Sequence, residues 1–470
     1  MAEGEIHQAH AVATRAVRSA DERESGKWGR RLARLSGLLT ILDIEWAPDR
    51  LILDESRVVE PPVPLPGRIL SFYKASLPYA RSGYTIRTQR SVEAQQAAGF
   101  VVCPCTPINA DDTAEASIGV GTVEYRRLGT DLPFPTGSAA EDLEVNAHSL
   151  YAAAMDVRPA LVHAASGFIG PEIGLVGLSV ARALRVPFVY EVRGVLSETW
   201  GYSGEKLPVH RQMSWLRWLQ EVRLARAADA VVVLSEGIRS ELERSGAPVR
   251  QIHVVPNAVD SEMFEARRAH EGLMERLNPS GLPVVGYISN FGRREGHLVL
   301  VDAVAKLKER GTELKCLLIG DGPMREEVSR RVRSLALSDF VSVVGPVPHE
   351  DVADYYSLLD VFVVPREDDR AARYTTPLKP FEAMAMSVPL VVSDLPALRE
   401  IVGDSEERGS VFHPGSSESL SRVLAGILGD REKALAKAEA AKAWVVKERQ
   451  WSHNAERYRA AFDSVGVRPS

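Results

Sequence analysis

FVVPREDDRAARYTTPLKPFEAMAMSVPLVVSD, residues 362–394, reads as one βαβ unit. The apolar run 362–365 is a strand, REDDRAARY is a loop studded with cations, and TPLKPFEAMAM (376–386) opens a helix. The run PLVVSD (389–394) is the next strand. A helical crossover of this length is the connection that parallel strands require. In open parallel sheets ligands sit at the carboxyl ends of the strands, where a helix start and a lysine such as Lys379 favour phosphate. A phosphorylated ligand is therefore the expectation from this stretch.

The same grammar extends in both directions. Towards the N-terminus of this half lie PVVGYIS (283–289), LKCLLIGDGP (314–323) and FVSVVGPV (340–347), and after it comes SVFHPG (410–415). An earlier series comprises RILSFYKASLP from residue 68, FVVCP, ALVHAAS (160–166), PFVYEVRG (187–194), DAVVVLS (229–235) and IHVVPN (252–257). Continuous Val/Ile/Leu runs separated by helical segments mark strands buried on both faces of a parallel sheet. The expectation is an α/β chain of two doubly wound, Rossmann-like domains facing an interdomain cleft. Its parts are a partly helical extension over 1–67, a first domain over 68–264 and a linker over 265–282, whose breakers are Asn278, Pro279, Ser280 and Gly281. A second domain follows over 283–445, and 446–470 is a C-terminal helix, with return to the first domain as one option. In GDGP, Asp321 and Gly322 are expected to close a turn and Pro323 to take the first helical position. Gly119 and Gly121 lack the third glycine of a dinucleotide fingerprint.

Length and composition bound the rest. At 470 residues the chain exceeds one core. With 57 Lys+Arg against 63 Asp+Glu the net charge is −6, which argues against general nucleic-acid binding, so an anionic ligand needs a local gathering of cations. Three cysteines, Cys103, Cys105 and Cys316, make no disulfide framework and complete no zinc set, and no metal is expected. With no signal peptide and no bilayer-length apolar run, a cytoplasmic protein is expected. KWGRRLARLSGLL (27–39) gathers Trp28, Leu32, Leu35 and Leu39 near one helical face, with Arg30, Arg31 and Arg34 elsewhere. Such a helix either rests on an anionic inner membrane face or packs on the next domain.

The local cations are present at one predicted edge. Arg293 and Arg294 follow the first strand of the second half, Arg366, Arg370 and Arg373 follow the strand ending at 365, and Lys379 precedes the helix. Of the arginines, Arg293 and Arg366 are the candidates for ligand contact. In a metal-free site such groups would stabilise the negative charge of a departing phosphate more in the transition state than in the ground state.

Five landmarks taken in order, SLPYARSGYTIRTQ (76–89), VPFVYEVRG (186–194), VVPNAVD (254–260), LLIGDGP (317–323) and TPLKPFEAMAMSVPLVVSD (376–394), resemble the retaining glycosyltransferases of family 4, which have the GT-B fold. The resemblance runs over about four-fifths of the chain, from Arg68 to Asp463, and is to a branch with a TPLKPFEAMA donor loop. It implies transfer of a sugar, with retention, from a UDP- or GDP-linked donor to an acceptor hydroxyl or thiol, without a cofactor and usually without a metal. The acceptor classes it leaves open are a cell-surface or lipid-linked glycan and a small molecule. By the resemblance Glu382 accepts the ribose hydroxyls, Lys379 and Arg293 act on the diphosphate, and Thr376, Pro377, Leu378, Arg366 and Asn290 complete the donor side. Backbone at Val347 meets the base. On the acceptor side stand Ser82 and Gly83 of the glycine loop, Arg193 and His163.

The chain departs from that family in three places. The glutamate usually found eight residues before Glu382 is Tyr374, the usual Arg and Lys of the first phosphate loop are Asn290 and Glu295, and the second histidine of an HxH element is Ala165. Lys379 and the neighbouring arginines are expected to replace the missing cations. Arg193 has two readings, a sugar contact or an ion pair with Glu191, and His163 is either a substrate contact or a packed core residue. A nucleotide-sugar-binding protein without transferase activity and a nucleotide-sugar epimerase of the same fold are the alternatives.

Overall fold

The computed structural model describes residues 4–19, 22–52, 60–108, 116–198, 208–247, 251–265 and 271–469. Their strands form two sheets. The first comprises β1 (Arg68–Phe72), β2 (Val101–Thr106), β3 (Ser117–Val120), β4 (Val123–Arg127), β5 (Leu161–Ala165), β6 (Phe188–Val192), β7 (Ala230–Val233) and β8 (Ile252–Val254), in the order β3-β4-β2-β1-β5-β6-β7-β8. The second comprises β9 (Val284–Ile288), β10 (Lys315–Ile319), β11 (Val341–Gly345), β12 (Val361–Val364), β13 (Leu390–Ser393) and β14 (Ser410–Phe412), in the order β11-β10-β9-β12-β13-β14. Every pairing is parallel except β3 with β4, an edge hairpin that turns at Gly121. The strand order reverses at β1/β5 and at β9/β12, which are the ligand-binding positions of a doubly wound sheet.

The interior strands are apolar throughout because helices cover both faces; β5, β6, β9 and β10 are buried at every residue. Residues 1–255 with 454–470 form one compact unit and 256–453 the other, so the units part at Val255 and His453 rather than at the 264 and 445 expected from sequence. Two observations account for the displacement. Val259 lies in the core of the second unit and its N–H donates to Arg449 O at 2.9 Å, while Tyr458 and Phe462 of the helix Asn454–Asp463 pack with Ile69, Leu161 and Val189 of the first.

The N-terminal extension is packed onto the first unit. It comprises the helices Gly4–Ser19 and Glu22–Leu42 and the stretch after them, and the helix Pro208–Ala227 takes carbonyls from both the second helix and that stretch: Gln220 Nε2 donates to Ile41 O at 2.9 Å and Arg223 Nη1 to Trp46 O at 2.6 Å. Trp28, Leu32, Leu35 and Leu39 are half-buried, and Arg30, Arg31 and Arg34 are exposed. Among the described residues no helix is long and apolar enough to cross a membrane.

Candidate functional site

The carboxyl edge of the second sheet is tightly built at β9 and β12. Gly296 has φ +69° and a Cβ there would lie 1.8 Å from Pro365 O, so only glycine allows the loop after β9 to touch the loop after β12. Gly320, at φ +132°, likewise admits Ser289 O at 1.8 Å from the position of a Cβ, which seats the GDGP turn against the β9 loop. Phe291 N donates to Asp321 O and Met324 N to Phe291 O, both at 2.9 Å. The helix after this turn begins at Arg325 with Met324 as its cap, so Pro323 stands in the turn and not at the first helical position.

Between these loops lies a buried charge cluster absent from the sequence reading. Glu295 binds Arg366 through Nε and Nη2, each at 3.2 Å, and accepts a hydrogen bond from the Tyr287 hydroxyl. Burial pushes the Glu295 carboxyl up, yet the Arg366 guanidinium and the Tyr287 hydrogen bond outweigh it and hold the group below the usual carboxylate range. Arg366 also donates to Thr375 O at 2.9 Å, which anchors the start of the TPLK stretch. Arg366, taken from sequence as a cation facing ligand, is therefore buried and ion-paired, and it holds the loop. Arg294 is paired with Asp369 at 3.0 Å, and Asp369 caps the short helix Arg370–Tyr374 by accepting from Ala372 N at 2.7 Å.

The loop itself is held from three sides. Asn257 Nδ2 donates to Thr376 O at 2.8 Å, and Arg366 holds Thr375. The Tyr356 hydroxyl, at the end of the helix Val352–Tyr356, lies 3.0 Å from Glu382 Oε2 and 3.2 Å from Lys379 O. Lys379 Nζ reaches the same Glu382 Oε2 at 3.0 Å. The hydroxyls of Thr375 and Thr376 are buried without a partner among the described residues. Pro377 and Leu378 are half-buried and lead into the helix Lys379–Ala385. Asn290 and Arg293 are exposed after β9, and Val347 is half-buried after β11. The structure thus brings Thr376, Lys379 and Glu382 together at the end of β12, with Asn290 and Arg293 at the end of the neighbouring β9 and Val347 after β11, the edge strand on that side of the sheet.

In the first unit a second buried cluster surrounds Glu191 at the end of β6. Its Oε1 accepts from Arg87 Nε and Arg193 Nε, both at 2.9 Å, and its Oε2 meets the Tyr458 hydroxyl at 2.8 Å and His163 Nε2 at 3.2 Å. Burial would raise this carboxyl, but Arg193, Arg87 and His163 hold it well below the usual range. His163 is wholly buried. Arg193 is an ion-paired residue whose guanidinium lies 5.1 Å from the Tyr73 ring centroid and 4.5 Å from that of Tyr84, with Nη2 making no hydrogen bond among the described residues. Lys74, after β1, is lowered to about 8 by burial and by Arg193. Ser82 caps the helix Gly83–Ala97 in a capping box with Thr85, so Gly83 is the first helical residue and not a free turn glycine.

Solved structures share this architecture. Sucrose-phosphate synthase from Thermosynechococcus elongatus superposes with a TM-score of 0.70 at 23% identity, covering 85% of this chain and 99% of that one. Alr3699/HepE from Anabaena, solved in complex with UDP, gives 0.67 at 17% identity, covering 84% and 100%. Residues 82–258 match the family described as glycosyl transferase 4-like domain, and residues 273–444 the family described as glycosyl transferases group 1. The chain is a glycosyltransferase of the GT-B fold. Curated relatives of this GT-B chain include the 2-deoxystreptamine glucosyltransferase of Streptomyces kanamyceticus, 27% identical over 302 residues that cover 62% of this chain and 74% of the relative. Another is the GDP-mannose-dependent alpha-(1-6)-phosphatidylinositol monomannoside mannosyltransferase of Mycobacterium tuberculosis, 26% identical, covering 55% and 66%. A D-inositol 3-phosphate glycosyltransferase of Xylanimonas cellulosilytica is 30% identical, covering 46% and 52%. The GT-B chain therefore spans between about half and three-quarters of these relatives' lengths.

Proposed function

We propose that this chain transfers a sugar from a nucleotide-diphosphate sugar to an acceptor hydroxyl or thiol, with retention and without a metal. The observation that carries the reading is Glu382, held at the β12 edge through one carboxylate oxygen while the other makes no hydrogen bond among the described residues. A carboxylate so placed can accept a ribose hydroxyl. Lys379 and Arg293 supply positive charge to the diphosphate, the unpartnered Thr376 hydroxyl adds a donor, and backbone at Val347 meets the base. Asn290, Pro377 and Leu378 shape the remainder of the donor side, and Arg366 keeps the loop in place through Thr375.

The acceptor is assigned to the first unit. Arg193 offers an Nη2 that has no hydrogen-bond partner among the described residues, Ser82 and Gly83 form the start of the helix after β1, and His163 acts at one remove through Glu191. The departing phosphate is the base that helps deprotonate the acceptor, which attacks from the face the leaving group vacates. The choice between UDP and GDP falls to the assay, since a solved structure of this architecture holds UDP and a curated relative is named for GDP-mannose. The acceptor is a glycan, a lipid-linked sugar or a small molecule.

The test has two steps. UDP or GDP should raise the melting temperature by mass action. The sugar form of that nucleotide should then release nucleoside diphosphate in the presence of acceptor, with the anomeric configuration read by NMR. Inversion, or a covalent glycosyl-enzyme trapped in good yield, would overturn the mechanism; silence towards both nucleotides would overturn the function.

A further inference from the structure

Glu382 Oε2 receives two donors of different character. Lys379 Nζ at 3.0 Å belongs to a side chain that is 30% exposed, at the mobile end of four methylenes. The Tyr356 hydroxyl, also at 3.0 Å, belongs to a ring that is wholly buried and packed 5.2 Å from the Phe362 ring of β12. A long exposed ammonium can leave for a better anion at little cost, whereas a packed phenol cannot. The hydroxyl proton is shared between Glu382 Oε2 and Lys379 O at 3.2 Å, so departure of the ammonium strengthens the phenol's bond to the carboxylate. Burial, reinforced by Glu382, pushes the Tyr356 hydroxyl well above its ordinary range, so it remains a donor across physiological pH.

We infer that Tyr356 is the positioning residue that fixes Glu382 to present a single oxygen, Oε1, to one ribose hydroxyl, and that the Lys379–Glu382 ion pair is a resting contact exchanged for the diphosphate when donor binds. The inference rests on the donor-side reading above and adds a division of labour to it. Without Tyr356, exchange of Lys379 would leave the carboxylate free to rotate at the moment the ribose must be held. With it, the cation moves and the acceptor atom stays.

The experiment titrates the full-length chain with UDP, GDP and their 2′-deoxy and 3′-deoxy forms by calorimetry. The wild type should prefer one ribonucleotide over one of its deoxy forms by roughly tenfold or more, the worth of a hydrogen bond to a charged group. Tyr356→Phe should bring that ratio close to one while changing the affinity for the deoxy form less than threefold. Lys379→Met should weaken ribo and deoxy forms alike and keep the ratio. Glu382→Gln should reduce the ratio as Tyr356→Phe does, and the double variant should add little to either. Retention of the ratio in Tyr356→Phe overturns the positioning role, and its collapse in Lys379→Met overturns the exchange. If Tyr356→Phe loses its fold, Tyr356→Met, which also removes the hydroxyl, is read the same way: collapse of the ribose preference in a folded variant supports the role, and retention overturns it. Wild-type protein that binds neither UDP nor GDP overturns the donor-side reading itself, and this inference with it; wild-type binding without ribose preference overturns the inference alone.

Discussion

Removing either partner of the Glu295–Arg366 pair should destabilise the second unit far more than removing a surface ion pair. Both side chains are close to 90% buried, at 8% and 10% relative exposure, and two contacts of 3.2 Å join them. Breaking such a pair strands a charge and costs about 3–5 kcal/mol, against ~1 kcal/mol or less at the surface. Arg366→Met should cost about 1 kcal/mol more than Glu295→Gln, because it also releases Thr375 O. The double variant strands no charge, so its cost should fall short of the sum by at least about 2 kcal/mol. A chain of two units need not unfold in one step, so the reading should come from hydrogen exchange in peptides covering β9 and β12 across a urea series. The sign with pH follows from the depressed Glu295 carboxyl. The pair's contribution is present above the carboxyl's unfolded value and is lost as pH falls through its lower folded value. Single variants costing below about 1 kcal/mol, or strictly additive costs, would refute the assignment of this pair as a buried anchor of the loop that begins at Thr375.

Lys379→Met should lower turnover about 100-fold or more, the cost of losing a preorganised donor at a leaving group, and a steady-state assay showing a loss under threefold would remove Lys379 from the reaction. Glu221 is raised to about 8, chiefly by burial, with Glu172 adding to it against the Tyr190 hydrogen bond. Its folded value exceeds its unfolded one, so its contribution is full below the unfolded carboxylate range and declines as pH rises to about 8; Glu221→Gln should flatten that part of a melting-temperature profile. Gly296→Ala forces a Cβ towards Pro365 O at a positive φ and should lower the melting temperature measurably, with weaker nucleotide binding by calorimetry because the β9 and β12 loops separate.

Much of the architecture was legible because buried parallel strands write themselves as unbroken apolar runs. VVGYI, KCLLI, VFVV and LVVS are strands β9, β10, β12 and β13 for that reason, and the TPLKPFEAMAM stretch lies between the last two as a loop running into a helix. The hairpin of β3 and β4 was harder to read, since its edge position leaves polar residues such as Arg126 and Glu124 along it. Pairings between distant residues were not legible at all. Arg366 looked like a free cation because Glu295, its partner, stands 71 positions away. Tyr356 lay in VADYYSLLD, where an aromatic residue before a strand signals only packing; its hydroxyl acquires a role once the chain brings Glu382 to it. The Arg193 ion pair was visible beforehand as one of two readings, because Glu191 sits two residues away in sequence.

The helix Asn454–Asp463 belongs to the first unit although the whole second unit intervenes in the chain. The order of synthesis follows from this. When the ribosome has made β8, the first sheet has all its strands but lacks Tyr458 and Phe462, so Glu191 has no phenol to meet and the surface around Ile69, Leu161 and Val189 is uncovered. The residues 256–453 must be translated before that gap is closed, which at 5–20 residues per second is a wait of roughly ten to forty seconds. The first unit is the earlier to be made and the later to be finished.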